Sequence, residues 1–172
     1  QSVKPSDVEA LRFFSLSRQE DTRNYKLTSQ MRCKGGNDYI DYIHNILECQ
    51  QEEMRTFGSS YELLLFEDVE DMVSAIKDKN NKMGLCRNMA GYAWPWKTHK
   101  MTLSKIQKEG LYDIKIENKY EVNNAHKYIW NTTQKDWINS ENSINEIGCI
   151  HTTQGYDLNY AGVIIGWEID YD

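Results

Sequence analysis

The sequence predicts an α/β fold: a mainly parallel sheet flanked by helices and interrupted by an irregular insertion. Three observations carry this expectation. In the first half of the chain, short apolar runs of strand length alternate with stretches of helical spacing. Near the end, the apolar run closing at Gly148-Cys149-Ile150 gives way to a polar turn, and a second run, Ala161-Gly162-Val163-Ile164-Ile165-Gly166, follows at once. Between about residues 97 and 146 neither period holds, and the Asn-rich stretches 118–124 and 139–145 read as loops. With 172 residues and 40% apolar content, the chain is long enough for one domain with a substantial core, so 1–172 reads as a single domain.

Taken in order, Ser6 followed by Glu9 has capping-box spacing and opens a first helix with apolar residues through Leu16. Residues 26–31 read as a short strand broken by Gly35-Gly36-Asn37-Asp38. Tyr39, Ile40, Ile43, Ile46 and Leu47 recur at helical spacing and predict an amphipathic helix to about residue 51. Tyr61-Glu62-Leu63-Leu64-Leu65-Phe66 reads as a buried strand, after which Asp68 can cap a helix carrying Val69, Met72, Val73 and Ile76. Met83-Gly84-Leu85-Cys86 reads as a strand that ends at Arg87. A further strand is expected around Tyr128-Ile129-Trp130 within the insertion, and no internal repeat is present. The strand, helix, strand, helix, strand order favours parallel pairing with right-handed crossovers.

Composition narrows the function classes. No apolar run approaches membrane-spanning length and no signal-peptide pattern occurs, so the expectation is a cytoplasmic protein without a membrane partner. The four cysteines, at 33, 49, 86 and 149, show no Cys-x-x-Cys pairing; they read as small buried residues and not as a metal site. Cys149 and His151, two apart on a strand, point the same way and do not face each other as a catalytic dyad must. A net charge of -6 and a pI near 5.3 argue against a free-standing, non-specific nucleic-acid binder.

The turn from His151 to Asp157 is the first place to seek function. Thr152 and Thr153 place hydroxyls where an apolar strand gives way to a helix start, and there hydroxyls and backbone N–H groups can both face a phosphate. Gly155 permits close approach, and Asp157 follows it. On pattern alone the same residues also read as ordinary helix capping with Asp157 on a solvated face.

A second neighbourhood carries two readings. Trp94 and Trp96, followed by Lys97-Thr98-His99-Lys100 and then Lys105 and Lys108, can form a stacking platform for unpaired bases, with Arg87 as a further contact. Alternatively Trp94-Pro95-Trp96 packs in the core and the lysines form a solvated face.

His151-Thr152-Thr153-Gln154-Gly155-Tyr156-Asp157 followed by an apolar strand resembles motif V of superfamily 1 helicases. Lys26-Leu27-Thr28-Ser29-Gln30-Met31-Arg32 resembles motif IV of the same enzymes. Between them, Met83 to Trp96 is similar to a segment of a bacterial family of unknown function related to the Schlafen group 3 DNA/RNA helicase domain. The three segments occur in the family's order and span most of the chain. The resemblance implies a RecA-like three-layer domain, the second half of a P-loop NTPase motor.

By that resemblance Arg32 is the catalytic arginine that reaches the terminal phosphate of ATP. Gly155 and Asp157 lie on the nucleotide side, with the carboxylate toward the ribose, and Gln1 corresponds to the glutamine that ends motif III. His151, Thr152, Thr153 and Gln154 face the nucleic-acid backbone, Gln154 occupying a slot often held by lysine. No Gly-x-x-x-x-Gly-Lys-Ser/Thr loop and no magnesium-holding acidic strand end are present, and the family's motif VI falls beyond Asp172. The expectation is therefore a fragment inactive alone, which binds no ATP or Mg2+ by itself and needs an N-terminal RecA-like domain of the same chain. The intact parent is expected to be an ATP-dependent helicase or translocase on single-stranded DNA or RNA. The alternative is a degenerate motor half kept as a regulatory or protein-interaction module without ATP turnover.

Overall fold

The computed structural model describes residues 33–59, 61–121 and 123–169. The expected first helix, the strand at 26–31, Gln1 and Arg32 lie outside the described residues. The chain divides into two compact units, 1–63 and 64–172.

In the first unit the helical spacing produces α1 (Gly36–Leu47), which ends before residue 51. Its packed side is aromatic. Tyr42 is buried, and Phe57 meets Tyr39 edge-on at 5.4 Å and Tyr42 at 5.3 Å. Ile40, Ile46 and Leu47, expected on the core face, are exposed. The returning segment brings Phe57, Tyr61 and the Met54 thioether to the ring-bearing side of the helix, so that side is the one that packs.

The expected strand at 61–66 does not form, and Leu64, Leu65 and Phe66 are exposed. An apolar run becomes a strand only where a ladder partner is free. Residues 61–66 enter no ladder of either sheet.

That unit opens with α2 (Val69–Met83). Asp68 caps it as expected, its carboxylate accepting the Glu70 N–H at 2.8 Å, and Met72, Val73 and Ile76 form the buried stripe. After Gly84 comes β1 (Cys86–Ala90). The expected strand thus begins at Cys86, and Arg87 lies inside it. Next come α3 (Leu103–Glu109), the antiparallel hairpin β2 (Ile114–Ile116) and β3 (His126–Tyr128), and single 3-10 turns at Trp137–Asn139 and Ser143–Asn145. The chain then enters β4 (Ile147–Cys149), a one-turn helix α4 (Ile150–Thr153), and β5 (Tyr160–Ile164).

The three-stranded sheet is parallel throughout, with order β4-β1-β5, so the α/β architecture is the expected one. The insertion between β1 and β4 supplies part of the core: Ile114 and Trp130 are fully buried with Met72, Ala90, Trp94, Ile147 and Ile164. The strand expected around Tyr128-Ile129-Trp130 forms as β3, which ends at Tyr128, and Trp130 adds a single parallel bridge to Ile147.

Two buried carboxylates hold this irregular region. Asp113 accepts the N–H and hydroxyl of Thr98, at 2.9 and 2.6 Å, and the Trp130 N–H at 3.0 Å. Glu146, with no exposed surface, accepts from the Thr132 N–H and hydroxyl, the Trp137 indole N–H at 2.7 Å and the Asn142 amide. Each substitutes for the backbone ladder that a loop lacks. Among the described residues no helix is long and apolar enough to cross a membrane.

Candidate functional site

Strand register determines where the site forms. Ala90 pairs with Cys149 on one side and Ile164 on the other, so β1, β4 and β5 finish level and their chains leave from one edge. Ligands of open parallel sheets bind at such carboxyl-terminal edges.

From β4 the chain turns directly into α4. Its N-cap position is Cys149, and neither threonine caps it. Thr153 is buried, and its hydroxyl donates to the carbonyl of Ile150 at 3.1 Å, close also to that of Cys149 at 3.4 Å. Thr152 is half-buried; its hydroxyl lies 3.0 Å from Cys149 Sγ and accepts the Asn131 amide at 3.2 Å. Asn131 also accepts the Cys149 backbone N–H at 3.0 Å. A glycine is needed just before this turn, because a Cβ at Gly148 would stand 2.5 Å from the Trp137 ring and 2.8 Å from the Thr153 methyl.

His151, Gln154, Gly155, Tyr156 and Asp157 are exposed. Gly155 has φ +94 with open space around it, so the chain reverses there in a conformation that side-chain-bearing residues rarely adopt. Tyr156 is tied to Asp136 at 3.3 Å. The Asp157 carboxylate has no hydrogen-bond or ionic partner among the described residues and is free to accept from a hydroxyl pair.

The loop after β1 supplies the neighbouring wall. Trp94 is buried, and its indole N–H donates to the Lys115 carbonyl at 3.3 Å. Trp96 is half-buried beside Tyr92, which is 50% exposed, at 6.4 Å, and beside exposed His99 at 5.0 Å. Tyr92 lies 5.6 Å from the His151 ring, joining the two loops. Its hydroxyl donates to Cys149 Sγ at 3.3 Å, and burial together with that bond raises its pKa to about 12. Of the sequence-predicted residues, then, Trp96, His151 and Thr152 come together at this edge, while Trp94 lies beneath the surface.

Arg87 is elsewhere. Its guanidinium is internal and donates to Ser143 Oγ at 2.9 Å, Asn80 Oδ1 at 2.8 Å, and the carbonyls of Cys86 and Ile138 at 2.8 and 2.5 Å. Burial lowers its pKa from the ordinary arginine value. Its donors thus tie β1 to α2 and to the 3-10 turns.

Tyr92 and Asn131 are residues that the sequence does not single out, whereas His99 belongs to the basic stretch already named. The signal for Tyr92 was present in the alternation Tyr92, Trp94, Trp96; that for Asn131 was not, because its partners are eighteen and twenty-one residues away. A cleft of about 330 Å³, lined by Leu103, Ile106, Tyr112, Lys127, Asn142 and Asn145 among others, contains none of the predicted site residues. Among the described residues no group of three or more His, Cys, Asp or Glu is placed to hold a metal ion.

Comparison with known proteins adds three findings. The profile of the family described as Schlafen group 3, DNA/RNA helicase domain matches residues 1–172. An uncharacterized protein of Saccharomyces cerevisiae, YPL245W, is 29% identical over 129 residues, covering 73% of this chain and 24% of its own. The chain thus spans about a quarter of the length of that curated relative. No solved structure matches. The whole-length match establishes membership: the chain belongs to the Schlafen group 3 DNA/RNA helicase domain family.

Proposed function

We propose that this member of the Schlafen group 3 helicase-domain family is the second RecA-like half of an ATP-driven motor acting on single-stranded nucleic acid. The observation that carries the reading is the level carboxyl-terminal edge of the parallel sheet, where the 150–157 turn and the 91–99 loop emerge together within a chain matched throughout by a helicase-domain profile.

In this reading the turn has two sides. Asp157, exposed and unpaired among the described residues, accepts hydrogen bonds from the ribose hydroxyls of ATP. His151 and Thr152 face the nucleic acid. Thr153 acts indirectly, by holding the turn closed through the Ile150 carbonyl. Arg32 reaches the terminal phosphate. The site residues fit a nucleotide only in part, because the chain has no phosphate loop; a first RecA-like domain carries the phosphates and Mg2+. Bound ATP supplies the free energy of phosphoryl transfer, and this chain's residues position the nucleotide and transmit its state to the turn.

The test is titration of a labelled single strand against the full-length polypeptide with and without a non-hydrolysable ATP analogue. Nucleotide-dependent, salt-sensitive binding is the expected result. Binding indifferent to nucleotide, or none, removes the motor and leaves an interaction module, the reading that the net charge of -6 favours.

A further inference from the structure

We propose that Tyr92, Trp96, His99 and His151 form a stacking ledge for the unpaired bases of a single strand, with Lys97 and Lys100 receiving its backbone. The inference rests on the motor reading for the nature of the ligand and extends it by naming the surface and the mode of recognition.

Three independent observations converge on this surface. The first is geometry. Tyr92 is 6.4 Å from Trp96 and 5.6 Å from His151, with ring planes only 35° and 36° apart, and His99 meets Trp96 edge-on at 5.0 Å with its plane turned by 70°. Fully buried Trp130 lies under both Tyr92, at 5.9 Å, and Trp96, at 6.1 Å, and fixes them from below. A row of rings held from beneath and left open above offers π faces at little further entropic cost.

The second is exposure. Tyr92, His99 and His151 are exposed together, and they come from two chain segments that strand register brings to one edge.

The third is charge. From Lys97 to Lys108 the sequence contains no Asp or Glu, while lysine stands at 97, 100, 105 and 108, in a chain whose net charge is -6. Lys97 and Lys100 flank the ledge, are exposed, and meet no carboxylate among the described residues. Aromatic faces interleaved with lysines match the alternation of base and phosphate in an unpaired strand, and a duplex, whose bases are already stacked, cannot use the faces.

Fluorescence anisotropy of a labelled oligothymidylate, measured with the full-length polypeptide at two salt concentrations, tests the proposal, with the same-length duplex as comparison. Trp96→Ala, Tyr92→Ala and His151→Ala are each expected to weaken single-strand binding by about 5- to 100-fold, the range for loss of one base stack. Tyr92→Phe, which keeps the ring and loses the hydroxyl, is expected to bind like the parent. Because Trp96 also packs against the core, Tyr92→Ala and His151→Ala decide the matter if Trp96→Ala unfolds. Unchanged binding in these two, or equal affinity for the duplex, overturns the ledge while leaving the motor reading intact. Failure of the parent protein to bind any nucleic acid overturns both.

Discussion

Asn131 and Cys149 are joined across the insertion: the Asn131 side-chain oxygen accepts the Cys149 backbone N–H at 3.0 Å, and the same amide donates to Thr152 Oγ1 at 3.2 Å and to the Thr133 carbonyl at 2.9 Å. One buried side chain thus fixes both the end of β4 and the hydroxyl of the turn that follows. The geometry of the candidate site is therefore set by a residue outside it.

Asn131→Ala should cost about 1–3 kcal/mol, because it leaves the buried Cys149 N–H without its partner and removes the bond to the partly buried Thr133 carbonyl. Urea unfolding at constant m-value checks it. Asn131→Asp, which points an acceptor at the Thr133 carbonyl, should be no better than Ala; wild-type stability in either variant would show that the amide is not a strut.

A second prediction concerns Arg87. Its four acceptors are neutral groups in and around β1, so Arg87→Met, which removes all four donated bonds, should destabilise by about 1–3 kcal/mol. Nucleic-acid affinity of the fraction that remains folded should be unchanged. A folded Arg87 variant with specifically weakened binding would return this residue to the interface.

Glu146 gives a third. All four groups around it are donors, so Glu146→Gln places an NH2 against one of them and should cost about 1–3 kcal/mol despite near-identical shape. Chemical denaturation of the two proteins at neutral pH measures the difference.

The fourth is a pH dependence. Burial of Asp68 acts to raise its pKa, but hydrogen bonds from the Lys119 and Glu70 N–H groups and from His126 outweigh it, and the folded-state value lies below the ordinary one. A depressed carboxylate pKa gives stability that is fully present above the unfolded value, about 4, and is lost as pH falls through the folded value. Asp68→Asn keeps a competent N-cap and removes the charge. The gap in melting temperature between wild type and this variant should narrow as pH falls below about 4. A gap that widens below about pH 4 contradicts the assignment.

These residues also show what the sequence made legible. α2 was readable because its cap and its apolar stripe are local: Asp68, then 69, 72, 73 and 76. The β4, turn, β5 run was readable for the same reason. Residues 61–66 misled because an apolar run reports burial preference and says nothing about a vacant ladder partner. The insertion resisted reading because Asp113 and Glu146 replace regular backbone pairing with long-range side-chain bonds that leave no periodic trace. In the site, strand-end placement of His151 to Asp157 followed from pattern, whereas the inward turn of Thr153 and the pairing of Tyr92 with His151 depend on register between distant strands.

The central claim, that this domain completes an ATP-driven motor, is tested most directly by ATP turnover of the full-length polypeptide with and without a single-stranded oligonucleotide. Wild type, Arg32→Ala and Asp157→Ala should be compared. The account predicts turnover stimulated by the oligonucleotide in wild type, its loss in Arg32→Ala, and a raised KM for ATP in Asp157→Ala, all three proteins remaining folded. Normal stimulated turnover in Arg32→Ala, or no turnover in wild type, would contradict it.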